Sequence, residues 1–173
     1  MIPIGELAPA FTLPATDGTE VTFPEGRVTV VVFTCNHCPY ALAWHGRLLQ
    51  VASDYKGRGV ETVFVNPNDA ERYPRDSFDA MRERVESEGP WAAPYLRDES
   101  QSVAEAYDAK TTPDVFVLDA DGYLRYRGAP DQDHMDEQQH ARWLRTALDE
   151  VLEGRDVTEP ETAPVGCSVK WKA

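Results

Sequence analysis

A chain of 173 residues is the size of one ordinary domain, and such a domain buries roughly 70% of its unfolded surface without disulfide bonds. Its formal net charge of −13 argues against nucleic acid and anionic membranes as partners, because both repel an acidic surface. The three cysteines are too few for the disulfide framework of a small secreted protein. We therefore predict a single domain that covers residues 1–173.

The sequence also bears on where the protein works. The first residues show no basic segment followed by an apolar run, which is the pattern of a secretory signal. No apolar stretch approaches the ~20 residues that cross a membrane as a helix, so we expect a cytoplasmic protein with no membrane partner. The acidic composition favours a halophilic source over an ordinary acidic cytosolic protein, because it includes so few lysines: Lys56, Lys110, Lys170 and Lys172.

The N-terminal segment, residues 1–27, is rich in turn-forming residues and predicts a β-hairpin extension. Its turn is Asp17-Gly18, which lies between the apolar segments 11–13 and 21–23. The almost continuously apolar run 28–34 follows, and it predicts a strand that is covered on both faces.

A helix is predicted over residues 39–56, because apolar residues recur there at steps of three and four. Pro39 is tolerated in a first helical turn, and Gly57 marks the end of the helix. The run 60–66 predicts a second strand. Strand, helix and strand in this order form a unit whose two strands are parallel and whose crossover is right-handed.

The rest of the chain alternates further helices and strands. Helices are predicted over residues 76–88, 100–107 and 137–153. An antiparallel hairpin turns at Asp121-Gly122 and joins the predicted strands 115–119 and 123–127. The tail, residues 155–173, is expected to be extended. This order predicts an α/β fold with a mixed central sheet and helices on both faces.

Two cysteines separated by two residues stand where the first strand gives way to the first helix, in the segment Cys35-Asn36-His37-Cys38-Pro39. Free N–H groups and the helix dipole stabilise an anion there, and activated thiols of this kind have a pKa of roughly 3.5–7.5. We therefore predict that Cys35, with a lowered pKa, attacks a partner's disulfide and that Cys38 resolves the mixed disulfide. This exchange needs no organic cofactor.

The four histidines are candidates for two roles, tuning of the dithiol and metal binding. A protonated His37 is expected to stabilise the thiolate and make the disulfide form more oxidising; the alternative is a solvated loop residue with no effect on the potential. His45 is predicted to pack along the first helix. His134 and His140 have no spacing typical of a metal site, so no metal ligand is predicted.

A strand, a CxxC-Pro segment that opens a helix, and Thr112-Pro113 before a later strand together resemble the thioredoxin fold. This resemblance implies that Pro113 is cis and lies beside the dithiol. It also implies that the backbone of Thr112 pairs with a substrate peptide, and that Asn36 and Pro39 border the bound partner.

More closely, the chain resembles the peroxiredoxin-like branch of the thioredoxin superfamily, the redoxin or AhpC/TSA-like proteins. The matching segments are residues 5–13, 35–40, 68–69, 112–114 and 166–172. The chain departs from the peroxiredoxin pattern Pro-x-x-x-Thr/Ser-x-x-Cys, because Val31 and Cys35 replace the Pro and Thr when Cys38 is the peroxide-attacking residue. Thr111 stands where relatives often carry a third cysteine. Thr29 stands where thioredoxins carry a buried aspartate that assists proton transfer.

Cys167 is the remaining cysteine and lies in the predicted tail. We interpret it as a small buried residue that holds the tail beside Trp171, because a free cysteine behaves as a small hydrophobe. The alternatives are a remote resolving thiol and an intermolecular disulfide.

The leading hypothesis is a thiol–disulfide oxidoreductase with Cys35 as nucleophile, Cys38 as resolving thiol and His37 as tuner. Its expected partners are protein or small-molecule thiols and disulfides and a thioredoxin- or glutathione-like reductant. The first alternative is a peroxiredoxin-like antioxidant peroxidase that forms a sulfenic acid. The second is Cu(I) or zinc binding by the two cysteines and a histidine, although a closed zinc site takes about four ligands.

Overall fold

The apolar run after Arg27 forms the middle strand of the main sheet in the computed structural model, which describes residues 2–173. The strands are β1 (Phe11–Pro14), β2 (Glu20–Phe23), β3 (Val28–Phe33), β4 (Val60–Asn66), β5 (Tyr95–Arg97), β6 (Thr111–Thr112), β7 (Asp114–Leu118), β8 (Leu124–Gly128) and β9 (Cys167–Ser168). The α-helices are α1 (Pro39–Lys56), α2 (Phe78–Glu88), α3 (Ser102–Tyr107) and α4 (Arg142–Leu152). None of the helices among the described residues is long and apolar enough to span a bilayer.

Strand β3 lies at the centre of a five-stranded sheet with the order β5-β4-β3-β7-β8. It pairs in parallel with β4, as the predicted strand–helix–strand unit requires, and antiparallel with β7. The predicted hairpin is the antiparallel pair of β7 and β8. All six residues of β3 are buried, and each buried valine or phenylalanine contributes roughly 1.5–3 kcal/mol. The predicted mixed α/β sheet is confirmed.

Two apolar clusters cover the two faces of this sheet. Val30 of β3 belongs to the cluster that contains Trp44 of α1 and residues of α4. Its neighbour Val31 belongs to the cluster formed with Tyr107 of α3 and with Phe11 of the N-terminal hairpin. Because successive strand residues point to opposite faces, α1 and α4 cover one face, and α3 and the β1–β2 hairpin cover the other.

Helix α2 begins at Phe78, two residues later than predicted. Ser77 caps it, since the Ser77 Oγ accepts the backbone N–H of Ala80 at 3.1 Å. Asp76 ends a separate 3-10 turn, Pro74–Asp76, and is fully buried. The predicted start is wrong because the Asp76 carboxylate is bonded to the loop that carries the cysteines instead of exposed in a helical first turn.

Helix α4 begins at Arg142 instead of residue 137. A 3-10 turn, Glu137–Gln139, comes first, and His140 and Ala141 follow with φ of 54° and 57°. Left-handed backbone costs roughly 1–2 kcal/mol for a non-glycine residue. The buried Asp131 offsets part of that cost, because its carboxylate accepts the Ala141 N–H at 2.9 Å. Strands β5, β6 and β9 were not predicted, since two or three residues show no periodicity.

His45 packs in α1 as predicted, with its ring 4.4 Å from that of Trp91 and 5.7 Å from that of Phe64. Burial disfavours the imidazolium, with the Arg84 charge acting in the same direction, and lowers the pKa of His45 from 6.5 to about 4. The folded state therefore binds fewer protons than the unfolded state between these values, and stability is lost as the pH falls from 6.5 to 4.

Replacing His45 with glutamine should remove this pH dependence. We expect the unfolding free energy of the wild type to fall by about 3 kcal/mol more than that of His45→Gln between pH 7 and 4. Urea unfolding of both proteins across that range measures the difference, and the effects of other titrating groups cancel because both proteins share them. Parallel pH profiles for the two proteins would contradict the assignment.

Candidate active site

The dithiol loop lies where β3 leaves the sheet and α1 begins. Cys38 is the N-cap residue of α1, with extended backbone, and Pro39 is its first helical residue. Because β3 pairs with β7, the residues that precede β7 lie beside this loop. The Thr112–Pro113 peptide bond is cis, as predicted. The fold thus brings Thr112 against both cysteines.

The sulfur atoms of Cys35 and Cys38 are buried and both face Thr112. Cys35 Sγ lies 3.3 Å from the Thr112 hydroxyl oxygen, and the Cys38 thiol donates to the Thr112 carbonyl at 3.1 Å. Cys35 is only 1% exposed and Cys38 is 0% exposed. Both cysteines are free thiols, so the geometry is that of the reduced state.

Cys38 is the more acidic thiol of the pair. The pKa of Cys38 is lowered to about 4, chiefly by a hydrogen bond from the Cys35 thiol and also by the Cys167 thiol and the backbone N–H of Ala41. The donors that favour the Cys38 thiolate outnumber the one group that opposes it. That group is the Thr112 carbonyl, which accepts the proton of the neutral thiol. Cys38 is the N-cap residue of α1. The free N–H groups and the dipole at this end of the helix therefore stabilise its anion.

Cys35 behaves in the opposite way. Its pKa is raised well above the ordinary value, first because its proton is held in the bond to Cys38, and then because of burial and the nearby charge of Asp76. The predicted lowering of the Cys35 pKa is thus wrong for the reduced pair. The reason is that Cys38, not Cys35, is the N-cap residue of α1, and the bond between the two cysteines holds the shared proton on Cys35.

Asp76 is a carboxylate beside the dithiol that the sequence did not single out. It is fully buried and accepts the Asn36 backbone N–H at 2.7 Å and the side-chain amides of Asn66 and Asn68, each at 3.1 Å. Asn66 ends β4, so one strand holds the carboxylate in place. The one available signal was the cluster of asparagines after that strand, which a buried carboxylate can use as donors.

His37 lies between Asp76 and solvent. Its Nδ1 is 2.6 Å from Asp76 Oδ2, close enough for an ion pair although not aligned for a hydrogen bond. Its ring stacks on Tyr73 at 5.7 Å with an angle of 4° between the planes. A ligand-type atom of each of Cys35, His37 and Asp76 lies within 4.8 Å of the other two. An imidazole and a carboxylate therefore lie within 4.8 Å of Cys35 Sγ, close enough to reach it after a small movement or through one water.

Asn36 and Pro39 are both predicted to border a bound partner. Their side chains differ in how free they are to contact one. The Asn36 side-chain oxygen accepts from Tyr95 at 2.8 Å and from Arg84 at 3.0 Å, and its amide donates to the Arg75 carbonyl at 2.8 Å. The side chain of Asn36 therefore shapes the loop from within. Pro39 is exposed.

Arg84 is a second residue near the site that the sequence did not indicate. Its guanidinium donates to the Cys35 carbonyl at 3.3 Å and to Asn36, and lies 5.0 Å from the centre of the Trp91 ring. Arg84 belongs to α2 and is far from Cys35 in the sequence, so no local sequence pattern indicates this contact. It fixes the backbone on which Cys35 sits.

Cys167 lies beside the dithiol and not apart from it. Strand β9 pairs antiparallel with β6, with Cys167 opposite Thr112. Its side chain packs against the cluster of Cys35, Cys38 and Ala41. Burial, and the neighbouring Cys38, raise the pKa of Cys167 to about 11. Trp171, expected to be its companion, packs on the cluster formed by the N-terminal hairpin and α3.

Residues 4–127 match the AhpC/TSA family. The chain belongs to this family. The predicted resemblance to the redoxin branch is thereby confirmed. No curated protein is significantly similar to the chain.

Two solved structures resemble this AhpC/TSA protein over nearly their whole length. An uncharacterized conserved protein from Geobacillus kaustophilus is 42% identical, with a TM-score of 0.92 over 99% of this chain and 94% of that one. A hypothetical protein from Sinorhizobium meliloti is 35% identical, with a TM-score of 0.92 over 100% and 97%. A Chlorobium tepidum protein provisionally named thiol:disulfide interchange protein DsbE is 22% identical, with a TM-score of 0.71 over 88% and 99%. Together they confirm the thioredoxin-like fold.

The structure also bears on the metal-binding alternative for this AhpC/TSA protein. Cys35, His37 and Asp76 offer three ligand atoms, one short of a closed zinc site. The Asp76 oxygens already accept three N–H groups. The group is better suited to exchanging a proton than to holding a cation.

Proposed function

We propose that the chain is a thiol–disulfide oxidoreductase whose Cys35–Cys38 pair exchanges electrons with protein or small-molecule disulfides. The observation that carries the proposal is the buried pair of free cysteines, Cys35 and Cys38, both held against Thr112 at the N-terminus of α1. A buried pair of this kind can close into a disulfide and open again without a cofactor. The DsbE-named neighbour supports the same class of chemistry.

The first step is attack by Cys35. The Cys35 thiol gives up its proton, and its sulfur attacks one sulfur of the partner's disulfide. A Cys35–partner mixed disulfide forms and the other partner sulfur leaves as a thiolate. The Thr112 hydroxyl, 3.3 Å from Cys35 Sγ, donates to the developing negative charge.

The second step is resolution by Cys38. Its thiolate attacks Cys35 Sγ, the Cys35–Cys38 disulfide forms, and the second partner sulfur is released and protonated. Two electrons have passed from the dithiol to the partner. In the mixed disulfide Cys35 has no proton to donate, so Cys167 and the backbone N–H of Ala41 are the groups that still stabilise the Cys38 thiolate. The step that needs a base is the first, in which Cys35 loses its proton.

The base is the Asp76–His37 pair. Thr29 cannot serve, since its hydroxyl donates to the Arg27 carbonyl at 3.0 Å and has no basic character near neutral pH. Asp76 and His37 lie within 4.8 Å of Cys35 Sγ and His37 reaches solvent, so a proton accepted from Cys35 can leave the site. In this mechanism His37 influences the dithiol in two ways. It relays a proton together with Asp76, and its positive charge, when present, stabilises the thiolate as predicted.

Equilibration with glutathione or dithiothreitol buffers, read by alkylation and mass spectrometry, tests this function. We expect a reversible two-electron couple for Cys35 and Cys38, more oxidising than roughly −270 mV, because a stabilised Cys38 thiolate favours the reduced form. A protein with no reversible couple, but with rapid peroxide-dependent formation of a sulfenic acid, would replace this proposal with the peroxidase alternative.

A further inference from the structure

The tail closes over the dithiol and brings a third sulfur to it. Cys167 stands opposite Thr112 in the β6–β9 pair, and Thr112 is the residue that both Cys35 and Cys38 contact. The side chain of Cys167 packs against the cluster that contains Cys35 and Cys38, and Cys167 lowers the pKa of Cys38. The three cysteine side chains therefore form one contiguous cluster.

The tail is held in this position along its length. Asp69 N–H donates to the Lys170 carbonyl at 2.8 Å, and Lys170 N–H donates to the Asn68 side chain at 2.9 Å. Gln101 holds the next residues, and its side-chain oxygen accepts the Lys172 N–H at 2.9 Å. Asn68 also donates to Asp76, so the same side chain fixes both the tail and the carboxylate.

Gly166 allows the tail to come this close. A Cβ at this position would lie 2.3 Å from the Thr112 carbonyl oxygen, which no side chain tolerates. The glycine thus lets the chain pass directly over Thr112 before Cys167 is placed against Cys38.

The third thiol differs from the other two in its exposure to solvent. Cys35 and Cys38 are buried, whereas Cys167 is partly exposed to solvent. A reductant that approaches the closed site meets Cys167 first. Once Cys38 is in a disulfide, its negative charge no longer opposes ionisation of Cys167.

We propose that Cys167 is a third redox-active thiol that moves the disulfide from Cys35–Cys38 to Cys38–Cys167. The Cys167 thiolate attacks Cys38 Sγ, the Cys35–Cys38 bond breaks, and Cys35 leaves as a thiolate that takes up the proton lost by Cys167. No electrons enter or leave in this step. An outside thiol of the glutathione class then attacks the accessible Cys167 sulfur, which releases the Cys38 thiolate and leaves a Cys167 mixed disulfide. A second outside thiol cleaves that mixed disulfide, so Cys167 returns to the thiol and the two outside thiols leave as their own disulfide. This inference rests on the proposed function, because it starts from the Cys35–Cys38 disulfide.

Disulfide mapping tests the transfer. The wild type, Cys35→Ser and Cys167→Ser are oxidised with diamide, their remaining thiols are alkylated under denaturing acid-quenched conditions, and peptides are mapped by mass spectrometry. We expect Cys35→Ser to form Cys38–Cys167 completely, and the wild type to contain this disulfide together with labelled Cys35. Cys167→Ser should contain Cys35–Cys38 alone.

The double variant Cys167→Ser/Ser168→Cys is the matched control. It moves the thiol one residue along β9, to the opposite side of the strand, where Ser168 is exposed. In this variant we expect no bond to Cys38. If Cys35–Cys38 forms reversibly while Cys35→Ser leaves both remaining thiols labelled, the third-thiol inference is overturned and the proposed function stands. If neither disulfide forms in any variant, the proposed function itself fails.

Discussion

Replacing Cys38 with serine is expected to leave the protein covalently attached to its disulfide partner through Cys35. The serine hydroxyl cannot attack the mixed disulfide, so the reaction stops after its first step. Turnover of a disulfide substrate should fall by at least about 10³-fold, the usual scale for loss of a covalent nucleophile. The experiment belongs in a Cys167→Ser background, because the tail thiol could otherwise resolve the adduct.

The matched variant is Cys35→Ser in the same background. It should form no stable adduct, because the proposed mechanism assigns the attack on the partner to Cys35 and only resolution to Cys38. Intact-mass measurement after incubation with oxidised glutathione distinguishes the two variants by the mass of one glutathionyl group. An adduct on Cys38 in Cys35→Ser, with none in Cys38→Ser, would reverse the roles of the two cysteines. The lowered pKa of Cys38 is the reason to include this comparison.

Replacing Asp76 with asparagine should slow the attack of Cys35 by about 10²-fold near neutral pH, within the range for loss of a general base. The loss should shrink as the pH rises, because hydroxide then removes the Cys35 proton directly. Removing the Asp76 charge also lowers the pKa of Cys35, but this charge acts less strongly than the bond to Cys38 and burial. The loss of the proton acceptor therefore dominates. Stopped-flow reduction of a chromogenic disulfide from pH 5 to 10 measures the profile.

A structural role for Asp76 is separable from its role as a base. The new amide would face the donor nitrogen of Asn68, so some loss of stability is expected. His37→Gln is the companion variant, because it leaves the Asp76 hydrogen bonds intact while removing the ring that links Asp76 to solvent. A rate loss that is the same at every pH in Asp76→Asn, with normal rates in His37→Gln, would show that Asp76 only holds the loop.

The parts of the fold that depend on local pattern could be predicted from the sequence. The bounds of α1 were predicted to the residue, because apolar spacing, Pro39 and Gly57 are all local signals. The position of the dithiol followed from the same junction of strand and helix. The start of α4 could not be predicted, since Asp131 stabilises the irregular turn before it through a contact that is distant in sequence.

The chemistry of the site was harder to predict than its location. Which cysteine carries the charge depends on the Ala41 N–H and on Cys167, and the latter reaches the dithiol only after the whole chain has folded. Asp76 resembled an ordinary acidic residue in a helical first turn. Its burial beside Cys35 depends on Asn66 and Asn68, which the sequence places in a strand end and a loop without showing where they point.

The glycine before Cys167 has a consequence for sequence comparison. A tail can cross Thr112 at this distance only without a side chain at residue 166. A Gly-Cys pair in the segment that follows a thioredoxin-like domain therefore indicates a chain whose own tail covers the dithiol and places a third cysteine beside it. A related sequence that has the cysteine but a bulkier residue before it should have an open, directly accessible pair instead.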